Sequence, residues 1–300
     1  MFAEKNISIS PWPTEKVVRF LEGRGQRVIR AASGCWHEPY GHGRIVMPLP
    51  VQRCVTPEQS EIAEVFRQAP AAWFLRYASD PGGEPLNSLD SFRWVCRPPY
   101  GLEKLSANIR HNVRRGLRRA EMRKITFREI LDRGWEAHSD TMRRHGEKPG
   151  GFGVDAGLDE YGGYEAWGAF VDDSLAAYTV TLIMDDWAHF LVARSTDRHL
   201  KRYPNNALLF FVCERLFERG YIAAASRGFE SVKGPEGLES YNASMGFRKE
   251  PVQQVIAVRP SMRLLLNRYT IAAALPVLKL LGANRATRML RLIRTGPASA

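Results

Sequence analysis

Apolar residues recur along this chain in two rhythms: the three-to-four spacing of a helix face and the short runs of a buried strand. The first 25 residues read as a lead-in and a short helix. Residues 28–31 and 45–50 read as strands separated by a Gly/Pro/His-rich loop at 33–43. A helix over 57–68, a strand over 72–77, a Pro/Gly/Asn/Asp loop over 79–91 and a strand over 92–96 complete an α/β first third. Leu102, Leu105, Ile109, Val113, Leu117 and Ala120 then fall at helical spacing and make one apolar face. On the other side Arg110, Arg114 and Arg118 line up beside Arg115, Arg119 and Arg123, so this helix is amphipathic and basic.

The second half is ordered more sharply. A strand is predicted at 126–130 and a helix at 135–145, followed by a glycine-rich loop at 146–163. That loop holds no GxxxxGK[ST] phosphate cradle. Residues 164–171 read as a strand or short helix, 175–183 as a strand and 187–193 as its hairpin partner. Asp172-Asp173 and Asp185-Asp186 supply the turns. Pro204-Asn205-Asn206 opens a helix with Asn as the candidate N-cap, and Leu208, Leu209, Val212, Cys213 and Leu216 mark its buried face. Arg215 and Arg219 sit in its last turns and Gly220 ends it. A strand at 222–226, a helix at 238–244 and a strand at 252–258 follow, giving the order strand, strand, helix, strand, helix, strand.

Composition adds charge to this picture. The 300 residues, 44% hydrophobic and 25% charged, suit a soluble globular chain of one large or two small domains. The net charge of +11 is concentrated: residues 104–124 carry +7 and residues 251–300 carry +8, leaving −4 elsewhere. Such patches suit a nucleotide cofactor, tRNA or an anionic membrane surface. Cys35, Cys54, Cys96 and Cys213 form no CxxC pair, which argues against zinc and a disulfide framework and for reduced thiols in the cytoplasm. The first twenty residues hold no long apolar run, against a signal peptide. Over 263–295 two helices are predicted; their longest uncharged run, 269–278, is ten residues and too short to span a bilayer. Arg285, Arg288, Arg291 and Arg294 make the second helix basic and amphipathic, suited to peripheral contact with a membrane.

Two segments carry a family resemblance. Tyr241-Asn242-Ala243-Ser244-Met245-Gly246-Phe247, a short helix closing in a Gly-Phe turn, resembles a signature of the GNAT superfamily of N-acyltransferases. Arg202-Tyr203-Pro204-Asn205-Asn206-Ala207 stands where those enzymes carry an Arg/Gln-x-x-Gly-x-Gly/Ala pyrophosphate loop; Arg202 and Ala207 match, and Asn205 replaces the first glycine. Tyr241 lies one place further from the glycine than the usual acid, and Tyr241-Asn242 replaces the aromatic-Lys pair of the FemAB-like branch, which the chain resembles. The resemblance implies a GNAT-like α/β fold, a mixed sheet flanked by helices, over 126–262. Residues 1–101 would be a degenerate first unit of a tandem pair, 102–125 the basic helix and 263–300 the basic tail.

Acyl transfer to an amine needs a base for the amine, donors for the carbonyl oxygen and an acid for the leaving group. Tyr241 is the candidate acid and Glu230 the candidate base, with Glu239 as its rival. His189, in mid-strand, reads as a core histidine. Arg194, Ser195, Arg202, Asn205 and Asn206 are the candidates for the donor's phosphates, at a helix start where free N–H groups favour anions. His138 and His145 lack metal-ligand spacing and no metal is expected; no GxSxG or other nucleophile motif is present. The resemblance implies acyl-CoA, acetyl-CoA included, as donor. Aminoacyl-tRNA is the alternative, which the degenerate loop and basic helix favour, and a non-catalytic scaffold is the third. The amine acceptor stays open among amino sugars, peptidoglycan precursors, small amines and protein lysines.

Overall fold

A computed structural model describes residues 10–39, 43–82, 88–151, 155–229, 237–263, 270 and 272–276. The chain forms two compact units: a flanking one of residues 18–93 with 250–300, and a central one of residues 1–17 with 94–249.

Helix α1 (Thr14–Gly23) leads into β1 (Val28–Ala31), β2 (Gly34–His37) and β3 (Ile45–Leu49), an antiparallel meander of the flanking unit. Helix α2 (Gln59–Gln68) then crosses back to β4 (Phe74–Ser79), which pairs parallel with β3, and β5 (Ser88–Cys96) follows. Strand β2 occupies the stretch whose glycine, proline and histidine predict a loop. Burial of Cys35 and Trp36 between two partner strands outweighs that composition. The core gathers Ile29, Trp36, Val46, Val65, Phe66 and Leu75. The end of α2 is closed from far along the chain: Arg259 donates to the carbonyls of Phe66, Ala69 and Ala72 at 2.6–2.7 Å. Phe66 lies in the last turn of α2, where carbonyls lack internal donors, and Ala69 and Ala72 follow it in the chain.

In the central unit, α3 (Ala107–Arg119) is the basic helix, capped by Ser106. Strand β6 (Glu121–Ile125) and helices α4 (Phe127–Arg133) and α5 (Trp135–Arg144) follow. Helix α4 corrects the strand predicted at 126–130. Thr126 accepts from the backbone N–H of Glu129 at 3.0 Å, and the Thr-x-x-Glu spelling is a capping box that overrides the β-prone side chains. Strands β7 (Tyr164–Val171), β8 (Ser174–Met184) and β9 (Trp187–Ser195) form a second antiparallel meander. Its first turn takes the left-handed backbone that tight hairpins require, with φ of 49° at Asp172 and 58° at Asp173. Helix α6 (Pro204–Phe217) returns the chain to β10 (Ala224–Phe229), parallel to β9; α7 (Leu238–Ser244), β11 (Arg248–Val258) and α8 (Pro260–Arg263) follow. The sheet of this unit runs β10-β9-β8-β7-β6. Residues 253–258 of β11 pair antiparallel with β4 within the flanking unit.

Each unit therefore carries a meander, a helix and a parallel strand in that order. Helix α6 buries Leu208, Leu209, Val212, Cys213 and Leu216 as its spacing predicts. Its cap differs: Tyr203, left-handed at φ 60°, is the N-cap and Pro204 the first helical residue, so both asparagines lie inside the first turn. The loop predicted at 146–163 contains a 3-10 turn over Ala156–Glu160. Apart from 263, 270 and 272–276, the basic tail lies outside the described residues, among which no helix is long and apolar enough to cross a membrane.

Two expectations follow from packing. A Cβ on Gly116 of α3 would lie 2.6 Å from the Tyr203 carbonyl oxygen and 2.7 Å from the Ala207 Cβ. Gly116→Ala gains at most about 1 kcal/mol in helix propensity, whereas overpacking against backbone costs about 1–3 kcal/mol. Urea unfolding should show net destabilisation; a more stable variant would mean the helices do not meet here. His37, at the end of β2, has both ring nitrogens buried without a partner among the described residues. Burial lowers its pKa from 6.5 to about 4, so the unfolded chain binds the proton more tightly. Stability is then full above pH 6.5 and declines as pH falls towards 4. His37→Phe should flatten that slope by about 3 kcal/mol; an unaltered pH profile would refute the assignment.

Candidate active site

Strand β9 pairs with β8 from Trp187 to Ser195 but with β10 only through Trp187, Ala188 and His189. Past that point β9 and β10 part, and a cavity of about 340 Å³ opens along the second half of β9. Helix α5 lines it with Thr141, Arg144 and His145, α6 with Asn205 and α7 with Tyr241, while Arg227 enters from β10.

A β-bulge decides which side chains point where. Val180 pairs with Val192 but Thr181 with Phe190, so Leu191 is the extra residue. Alternation resets there. Arg194 comes opposite Tyr178, whose ring packs with Phe127, Ile130 and Ala137 of α4 and α5. Ser195 falls on the other face, where its Oγ accepts from Asn205 Nδ2 at 2.8 Å. Phe190 shares that face, 5.9 Å from the Arg227 guanidinium.

The end of β9 is tied to two helices, and a third is tied to one of them. Arg144 Nη2 donates to Ser195 Oγ at 2.8 Å, to the Ser195 carbonyl at 3.0 Å and to Thr141 Oγ1 at 2.9 Å, and its Nη1 bonds Asp197. The Ser195 N–H donates to Thr141 Oγ1 at 2.9 Å. Tyr241 donates its hydroxyl to the Asn205 carbonyl at 3.1 Å, which links α7 to the start of α6. The N–H groups of the first turn of α6 thus open beside a fixed cluster of polar side chains.

Charge in this cavity is one-sided. Arg144, Arg194 and Arg227 line it, and no described lining residue is an acid. The Arg227 guanidinium lies 5.5–5.9 Å from the rings of Phe190, Tyr241 and Phe247. Burial pushes the Tyr241 hydroxyl up to about 12, with Arg227 opposing, so it keeps its proton at neutral pH. Burial, then Arg194 and Arg144, hold His145 below the usual imidazole range; burial and Arg194 do the same to His138.

Of the residues singled out in the sequence, Arg194, Ser195, Asn205 and Tyr241 come together here. Arg202 instead pairs with Asp172 of the β7–β8 turn at 2.7 Å, and Asn206 donates to the Met245 sulfur at 3.5 Å. Glu239 pairs with Lys249 at 2.9 Å, and buried His189 stacks on Trp187. Glu230 lies outside the described residues. Thr141, Arg144 and Arg227 carry no motif in the sequence; helical spacing puts Thr141 and Arg144 on one face of α5, but only tertiary contact reveals what that face meets. Among the described residues no group of three potential metal ligands assembles.

No family model matches the sequence, and no curated relative does. Solved structures do. The C-terminal (DUF2156) domain of a protein assigned as a lysylphosphatidylglycerol synthetase from Agrobacterium fabrum superposes with a TM-score of 0.58 at 14% identity, covering 85% of this chain and 90% of that one. FemX gives 0.57 at 10% identity over 82% and 92%. L-PGS from Bacillus licheniformis gives 0.53 at 15% identity over 83% and 92%. The fold is GNAT-type. At these identities the likeness is one of architecture.

Ser195→Ala tests the cluster at the strand end. Its Oγ is the shared acceptor of two donors in a buried site, so removal should cost about 1–3 kcal/mol. Loss of less than half a kcal/mol in denaturant unfolding would show that Arg144 and Asn205 find other partners.

Proposed function

We propose that this protein is a GNAT-type acyltransferase that moves an acyl group from acyl-CoA, acetyl-CoA included, to an amine acceptor. The observation that supports it is the cationic cavity where β9 and β10 part, bordered by the first turn of α6. In this reading the donor's phosphates meet the N–H groups of that turn, with Asn205, Ser195 and Arg144 beside them. The amine must attack in its neutral form. His145, neutral at pH 7 for the reasons above, is the described lining residue able to accept its proton. Glu230 keeps the role the sequence suggests for it. Tyr241 retains a proton to give to the leaving thiolate, once its hydroxyl turns from the Asn205 carbonyl.

A second reading, an aminoacyl-tRNA donor, is favoured by α3. Arg114, Arg118 and Arg119 are exposed and have no carboxylate partner among the described residues. The same helix touches the start of α6 through Gly116, so a polyanion along its arginines would lie about a helix diameter, roughly 10 Å, from the cavity. The branch the chain resembles includes members that take aminoacyl-tRNA.

Thermal unfolding with and without acetyl-CoA separates the two. A ligand at a hundredfold excess over its Kd adds about 2.7 kcal/mol and a plainly higher Tm. No shift with CoA or acetyl-CoA, together with retention of charged tRNA, would move the assignment to the second reading. No response to either ligand would leave a non-catalytic role. Tyr241→Phe should keep the acetyl-CoA shift and lower turnover about a hundredfold; an unchanged rate would remove Tyr241 as the acid.

A further inference from the structure

We infer that the acceptor carries an oxyanion of its own, a carboxylate or a phosphate, and that Arg194 binds it. This rests on the acyl-transfer reading and names the acceptor class for the same site. The bulge at Leu191 turns Arg194 towards α4 and α5, away from Ser195, Asn205 and Arg227. Phosphates of a donor seated at the start of α6 are thus served on one face of the sheet, and a separate cation stands on the other.

That cation is poorly matched by the protein. Nε of Arg194 is buried with no hydrogen-bond partner among the described residues, and Nη1 reaches only the neighbouring Ala193 carbonyl at 3.1 Å. No described carboxylate pairs with it. Structural arginines in this chain look different: Arg259 is spent on three carbonyls, and Arg144 on a carboxylate, two hydroxyls and a carbonyl. A half-buried guanidinium without an anion is costly, and burial, with Arg194 itself, lowers the pKa of His138 and His145, so neither histidine is an anion that could pair with it. The planar fork of an arginine takes a carboxylate or phosphate through two parallel bonds. An acceptor with its oxyanion on Arg194 would present its amine on the His145 side of the cavity.

Binding of malonate and of inorganic phosphate to the full-length protein, by calorimetry with and without acetyl-CoA, tests this. The wild type should bind one of the two. Arg194→Met and Arg194→Lys, each confirmed as folded by its melting curve, should bind it at least tenfold more weakly while binding acetyl-CoA as the wild type does. A preference for malonate indicates a carboxylate acceptor, and a preference for phosphate a phosphorylated one. Equal binding by the variants, or no binding by the wild type, overturns the inference. So does loss of acetyl-CoA binding with Arg194, which would put that residue in the donor site. Arg194-dependent anion binding in a protein that ignores acetyl-CoA would remove the CoA reading and leave the oxyanion site standing.

Discussion

Hydrogen-bond pairing between β9 and β10 stops after three residues, and the candidate site of the central unit is organised around that early stop. A parallel pair that ran on would bury both strand edges and leave no cavity. Because β9 stays paired to β8 throughout, its free edge is held rigid while the gap beside it opens. Backbone groups on that edge, the first turn of α6 and the side chains that bridge them then share one space. The ties from Arg144 and Thr141 to Ser195 keep the end of β9 from closing onto its neighbour.

Much of the fold was legible because the relevant forces are local. The Asp172-Asp173 and Asp185-Asp186 turns bounded the hairpins, and the apolar spacing of α6 named its buried face. Helix α7 was read with its observed bounds, 238–244. The misses have a common cause. Strand β2 was hidden because loop-prone residues were placed between two partner strands, a condition set by distant chain. Helix α4 was mistaken for a strand because β-prone side chains were weighed and the Thr126-Glu129 cap was not.

The site was legible only where a motif pointed to it. Tyr241, Asn205 and Ser195 converge and Arg194 lines the same cavity from the other face of β9, but Arg202, one of two matches to the pyrophosphate loop, is held by Asp172. A one-dimensional match assigns a residue to a loop without saying which way it points. Arg144 and Arg227 have no motif to announce them; they matter because α5 and β10 border the gap. The absence of described acids from the cavity is likewise a property of assembly, since the central unit is rich in carboxylates elsewhere.

The flanking unit is discontinuous, and this shapes how the chain comes into being. Strand β4 is synthesised by residue 79, but its antiparallel partner begins at residue 253 and the arginine that closes α2 is residue 259. At ribosomal rates of about 5–20 residues per second, that edge waits roughly ten to forty seconds. Until then β4 offers an open row of backbone donors and acceptors, the kind of template on which nascent chains associate. Residues 94–249 emerge in the interval, so the central unit can condense while the first-made strands still wait for their last partner.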